Sequence, residues 1–121
     1  MSSIENEKYI TLDYQKEYKN FIFDTVRAKD YLFDNKYYLV KTIPFRVPEG
    51  YKVKYIPKNM DKSGKDFSIK VSFVQKYNEV FYSKEIAIDN AIIRKKDFKL
   101  WNSYIKELKT IYNDQIIISK N

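Results

Sequence analysis

Neither cysteine nor histidine occurs among the 121 residues. The chain therefore cannot form a disulfide or ligate zinc or an iron–sulfur cluster through Cys/His. It also cannot supply a thiolate nucleophile or the base of a serine–histidine–aspartate triad. Glycine is nearly absent: Gly50 and Gly64 are the only two, too few for a loop that cradles phosphate. No run of 18 apolar residues exists, so no membrane span is expected. The opening residues, Met1 to Lys8, lack the apolar stretch of a secretory signal. If the parent protein is exported, its signal lies elsewhere.

Apolar volume is present in quantity. Hydrophobic residues make 44% of the chain and aromatics 17%, enough for one domain to bury about two-thirds of its unfolded surface. Lys and Arg outnumber Asp and Glu by 23 to 16, a formal +7. That excess invites a polyanion partner. The lysines are scattered, however, and the only tight cluster is Arg94-Lys95-Lys96. Abundant Lys, Ile, Asn and Tyr beside rare Ala resemble the bias of an AT-rich genome. The charge reads as a solvated surface, with no nucleic acid expected.

The apolar period is two for most of the length and 3.6 near the end. Lys8–Tyr14 reads as a strand, and residues 24–35 as irregular connection. Lys36–Val47 reads as a long strand with Ile43, Phe45 and Val47 inward. Pro44 cannot donate to a ladder and implies an edge or a bulge. Pro48-Glu49-Gly50 is a turn, with glycine at the positive-φ position. Tyr51–Ile56 resumes in a strand, and 58–65 is a polar loop. The clearest feature is a hairpin over 66–89. A two-residue turn at Tyr77-Asn78, with Asn78 taking the positive φ, sets Lys76 opposite Glu79, Lys70 opposite Glu85, Phe73 opposite Tyr82 and Ile69 opposite Ile86. Lys84 then falls opposite Val71 on the inward face, where it is expected to lie near an edge and snorkel to water.

From Asp97 the spacing of Phe98, Trp101, Tyr104, Ile105, Leu108, Ile111 and Tyr112 is that of one helical stripe. The expected helix spans about 97–113 and is capped by the Asp97 carboxylate. Ile116–Ile118 form a short final strand. The expected class is mainly β: one domain over 1–121, an antiparallel β-sandwich with one C-terminal amphipathic helix and a closing strand.

No constellation for chemistry stands out. Glu49, Glu79, Glu85 and Glu107 lie on different elements. Asp61 and Asp66 flank a stretch whose Lys62 and Lys65 cancel the charge a calcium ion needs. Ser83 and Lys84 are neighbours in a strand and point to opposite faces. No catalytic, cofactor-binding or metal-ligating residue is assigned, no cofactor is expected, and the chain is not expected to be an enzyme. Phe45, Phe67, Phe73, Tyr82, Phe98, Trp101 and Tyr104 are expected in the core. Phe81 and Val74 pair on the outward face of the hairpin, which implies a cover, either a second layer or a neighbouring domain. Exposed tyrosines would allow an alternative, a module that binds carbohydrate or the cell envelope. Single-stranded nucleic acid on a basic, aromatic β-face is a third reading.

The stretch Ile43-Pro-Phe-Arg-Val-Pro-Glu-Gly-Tyr-Lys-Val-Lys-Tyr-Ile-Pro57, the hairpin, and the ending Asp97-Phe-Lys-Leu-Trp to Ile118 resemble one family over about residues 20–121. It is the C-terminal domain of unknown function of bacterial, Bacteroidetes-type transglutaminase-like proteins; residues 1–19 would be an N-terminal extension or first strand. The resemblance implies a small β-rich module following a papain-like core. Its partner would be the transglutaminase-like core of the parent chain, or another protein. It also implies an extracytoplasmic location, periplasmic or cell envelope, if the parent follows the family. None of the core's Cys-His-Asp residues has a counterpart here. The implied role is a non-catalytic accessory domain.

Overall fold

The computed structural model describes residues 2–4, 6–26 and 29–121. In chain order the elements are β1 (Ser2–Ile4), β2 (Glu7–Ile10), β3 (Tyr31–Leu32), β4 (Tyr37–Arg46), β5 (Tyr51–Tyr55), β6 (Met60–Ser63), β7 (Phe67–Lys76), β8 (Glu79–Ile88), β9 (Ile92–Ile93), α1 (Phe98–Tyr112) and β10 (Ile116–Lys120). They form a larger sheet in the order β4-β8-β7-β6, a smaller one in the order β1-β2-β10-β5, and the ribbon β3-β9. Every pairing is antiparallel. The molecule is the expected mainly antiparallel β-sandwich with one late helix and a closing strand.

The chain crosses between the sheets at tight corners. Between β4 and β5 the amide of Tyr51 donates to the Pro48 carbonyl at 3.1 Å, and Gly50 takes φ 88°. That is the left-handed position a type II turn requires, and glycine fills it without a Cβ clash. Strand β4 is an edge strand, which is why Pro44 is tolerated. The Val47 amide donates to Asn78 at 2.7 Å, so by alternation the Pro44 nitrogen points to the free edge, where no ladder bond is lost.

The hairpin register is the one the side chains dictate: Lys76 pairs with Glu79, Lys70 with Glu85, Phe73 with Tyr82 and Ile69 with Ile86. A one-residue slip would turn the apolar set to water. The left-handed φ of its turn falls on Tyr77, at 54°, and not on Asn78.

Four other expectations need correction. Strand β2 stops at Ile10, and the chain to Asn20 is an irregular strap, because Asp13 is drawn inward by charge (below) while Tyr14 is left 77% exposed. Met60–Ser63 is a strand, not loop: it pairs with β7, and Met60 is buried against the sheet. Tyr31–Leu32, within the stretch expected to be irregular, pairs with β9. The helix starts from a 3₁₀ turn, Lys95–Asp97, and Asp97 makes no side-chain cap bond. Its backbone, at φ −100° and ψ 3°, lacks the extended geometry that aims a carboxylate at the first helical amides.

The core lies between the larger sheet and a second layer made of α1 and the smaller sheet. It joins Ile69, Val71, Phe73, Val80, Tyr82, Ile86 and Ile88 to the helical stripe and to Ile10, Ile116 and Ile118. All seven stripe residues are buried, each contributing about 1.5–3 kcal/mol for a full-sized side chain. Of the aromatics expected inside, Phe45 is half-buried and the others are buried. Around Trp101 the rings of Tyr18, Phe21, Phe23, Phe33 and Phe67 lie 5.2–5.8 Å away, mostly edge-on or tilted.

Candidate functional site

Two places stand apart from ordinary packing: a charge cluster inside the sandwich, and the outer face of the larger sheet.

Alternation along β8 forces Lys84 inward between Tyr82 and Ile86, and it is fully buried. Its direct partner on β4 is Lys41, so two ammonium groups face each other on one side of the sheet. Like charges so placed repel. The strap after β2 resolves this with two carboxylates. Asp13 accepts from Lys84 Nζ through Oδ2 at 2.5 Å and from Lys41 Nζ through Oδ1 at 3.0 Å. Glu17 accepts from Lys84 through Oε1 and lies 3.6 Å from Lys41 through Oε2. Each carboxylate bridges both lysines, and the four formal charges cancel.

Neutral groups complete the shell. The Gln15 carbonyl accepts from Lys84 at 3.0 Å. The Tyr112 hydroxyl accepts from Lys84 at 3.1 Å and donates to the Glu17 carbonyl at 2.9 Å. Tyr82 donates to Asp13 Oδ2 at 2.6 Å. Four acceptors thus share the three protons of one ammonium. Burial pushes the Asp13 and Glu17 carboxyls up, but hydrogen bonds led by Lys84 outweigh it and leave both below their ordinary values. Burial raises the Tyr82 and Tyr112 phenols, and lifts Tyr18 to about 12.

Lys84 is therefore not an edge lysine that snorkels. It lies on an interior strand of its sheet, with no route to water. The cluster adjoins a cavity of ≈ 20 Å³ lined by Asp13, Tyr82, Tyr112 and apolar neighbours, room for about one water. An ammonium closed in this way cannot reach a substrate, so the arrangement serves to fasten the strap to the sheet. Trp101 Nε1 donates to the Phe21 carbonyl at 2.7 Å, and Asn102 exchanges two 2.8 Å bonds with the Phe23 backbone. Sequence reasoning flagged Lys84 but missed its partners. The available signal was Asp13, Gln15 and Glu17 at alternate positions, one face of an extended segment.

The outer face presents five cross-strand rows over β4, β8 and β7: Arg46–Glu79–Lys76, Pro44–Phe81–Val74, Thr42–Ser83–Ser72, Val40–Glu85–Lys70 and Tyr38–Ala87–Ser68. Asp61 and Ser63 of β6 extend the last two. Val74 is 43% exposed, Val40 53% and Tyr38 67%. Phe81 is only half-buried, so no second layer of the described residues closes fully over it. Ser83 faces out here while Lys84 faces in, so the two do not meet. Glu107 lies 4.0 Å from Lys62 on another side of the molecule. Tyr38 and Tyr77 are exposed at opposite ends of the larger sheet, and among the described residues neither has a ring partner. Among the described residues no group of three Asp, Glu, His or Cys side chains is placed to hold a metal, and no helix is long and apolar enough to cross a membrane.

These features define an antiparallel β-sandwich domain strapped internally by ion pairs and open on one sheet face. Residues 6–118 match a family described as a domain of unknown function with a solved structure (DUF3858). The chain belongs to that family. The matched span includes β2 and the strap. No curated protein matches the chain, and no solved structure matches it.

Proposed function

We propose that this domain is a non-catalytic accessory module, the C-terminal part of a transglutaminase-like protein, which offers the outer face of its larger sheet to a protein partner. The observation that carries the reading is the apolar row Pro44–Phe81–Val74, laid across three strands with Pro44 exposed, Val74 43% exposed and Phe81 half-buried. Apolar patches left open on a well-packed domain mark association surfaces. The resemblance of the Ile43–Pro57 stretch and of the helix-and-strand ending supports the parent context. The closed state of Lys84 and a sequence without cysteine or histidine support a role without bond-making.

The test is calorimetric titration of this domain with the separately produced transglutaminase-like core of the parent reading frame. Binding is expected, weakened at least tenfold by Phe81→Asp, with unchanged far-UV circular dichroism. An in-frame upstream region that encodes no such core, or a core that releases no heat with the wild-type domain, refutes the parent context. Transfer of amine to a glutamine peptide by the isolated domain refutes the non-catalytic role.

A further inference from the structure

We infer that the outer face of the larger sheet is self-complementary and that its occupant is a second copy of this chain, packed face to face about a two-fold axis that runs along the strands midway between β7 and β8.

The charge balance selects this face. The chain carries +7 overall, so two copies repel through most of their surfaces. On the outer face Arg46, Lys70 and Lys76 are matched by Asp61, Glu79 and Glu85, three against three, and the net charge is zero. Two basic molecules meet the least local repulsion there, and salt screens the rest.

The order of the rows selects the axis. In the sheet order β4-β8-β7-β6 the midline falls between β8 and β7. A half-turn about that line lays β8 of one copy over β7 of the other and keeps every row level. Each side chain then meets a copy of its own cross-strand partner. Glu79 meets Lys76, Phe81 meets Val74, Ser83 meets Ser72, Glu85 meets Lys70 and Ala87 meets Ser68. Charge faces opposite charge, apolar faces apolar, and the serines form a seam that water can bridge. The complementarity that fixed the hairpin register is thus reused between copies. At the rim Tyr38 meets Ser63 and Val40 meets Asp61, unlike pairs that fall where sheet twist carries the faces apart. An axis along the middle of β8 would instead set Glu79 over Glu79 and Arg46 over Lys76, which is repulsive.

The size of the face sets the strength. Three strands of ten residues and the four residues of β6, about 4.8 Å apart with about 3.3 Å rise per residue, cover about 540 Å² per copy. The total of about 1,100 Å² lies just below the range of stable specific interfaces, in the weak and transient class. A reversible dimer with a dissociation constant on the order of micromolar is expected, not an obligate one.

The inference rests on the reading of this face as an association surface, and the experiment separates the two. Sedimentation velocity of the 121-residue chain from about 1 µM to about 1 mM should show a concentration-dependent dimer. Lys70→Glu and Glu85→Lys should each fall at least tenfold in self-association. Each leaves a like-charged pair in its own sheet and again across the two-fold. Mixed one to one, the two variants should recover the dimer, because glutamates at 70 and 85 on one copy then face lysines on the other. This rescue does not depend on either variant's self-association and requires only that both stay folded by circular dichroism. A wild-type monomer at all concentrations, or a mixture no tighter than the separate variants, overturns the two-fold arrangement. A monomer that still binds the parent's core in a Phe81-dependent way leaves the proposed function standing. Core binding that ignores Phe81→Asp removes that face from the proposed function, whatever the dimer does.

Discussion

Removing Asp13 should damage this domain far more than removing the lysine it holds. Asp13 is the acceptor for Lys84, Lys41 and Tyr82 at 2.5, 3.0 and 2.6 Å. Asp13→Ala leaves the fully buried Lys84 ammonium with Glu17, the Gln15 carbonyl and the Tyr112 hydroxyl, and leaves Lys84 and Lys41 to share one carboxylate; breaking a buried ion pair by removing one partner costs about 3–5 kcal/mol. Lys84→Met keeps the stem and removes the charge. Asp13 then retains Lys41 and Tyr82, and Glu17, 24% exposed, can turn to water. The loss should be about 1–2 kcal/mol. The double variant orphans no buried cation, so it should be more stable than the sum of the singles allows, by about 1–3 kcal/mol. Against a total stability of roughly 5–15 kcal/mol, Asp13→Ala alone removes a large share. Urea unfolding measures this, and the buried Trp101, the only tryptophan, reports where strap and helix meet. An Asp13→Ala variant within about 1 kcal/mol of wild type, or strict additivity in the double, would refute the argument.

Further outcomes concern pH and the two tyrosines with left-handed backbone. Asp13 and Glu17 lie below their ordinary values when folded. Their contribution is therefore complete above about pH 4.5 and lost as pH falls through the folded values; urea midpoints should be flat from neutrality to about pH 5 and then drop. Tyr18, Tyr82 and Tyr112 are raised, so stability is complete below about pH 10 and declines above it. Absorbance near 295 nm should show a late-titrating fraction of phenols that ionises only with unfolding. Tyr77, 97% exposed at φ 54°, gains nothing from its side chain, so Tyr77→Gly should raise stability by about 0.5–1 kcal/mol. Tyr18 has a similar φ of 60° but packs on Phe21, Phe33, Tyr37 and Trp101, and Tyr18→Gly should cost about 2–4 kcal/mol by the same denaturation.

The features legible in the sequence are those governed by neighbours along the chain or across one turn. The 67–88 hairpin had a single register that matched charge to charge. The Pro48–Gly50 corner was written in its residue types, Pro44 marked an edge, and the stripe from Phe98 to Tyr112 fixed the face of the helix. What closed the molecule was decided only in three dimensions. Lys84 on an apolar face is a contradiction until Asp13 and Glu17, some seventy residues earlier, are folded against it, and no local pattern encodes that distance. The short strands β6 and β3 form because a partner strand lies alongside, not because four or two residues prefer extension. Tyr77 takes the left-handed position ahead of Asn78 because the hairpin register, set by the packing of ten residue pairs, outweighs the preference of one residue in the turn. Period and turn chemistry are written residue by residue, whereas the pairing of buried charge depends on which distant segments the sandwich brings together.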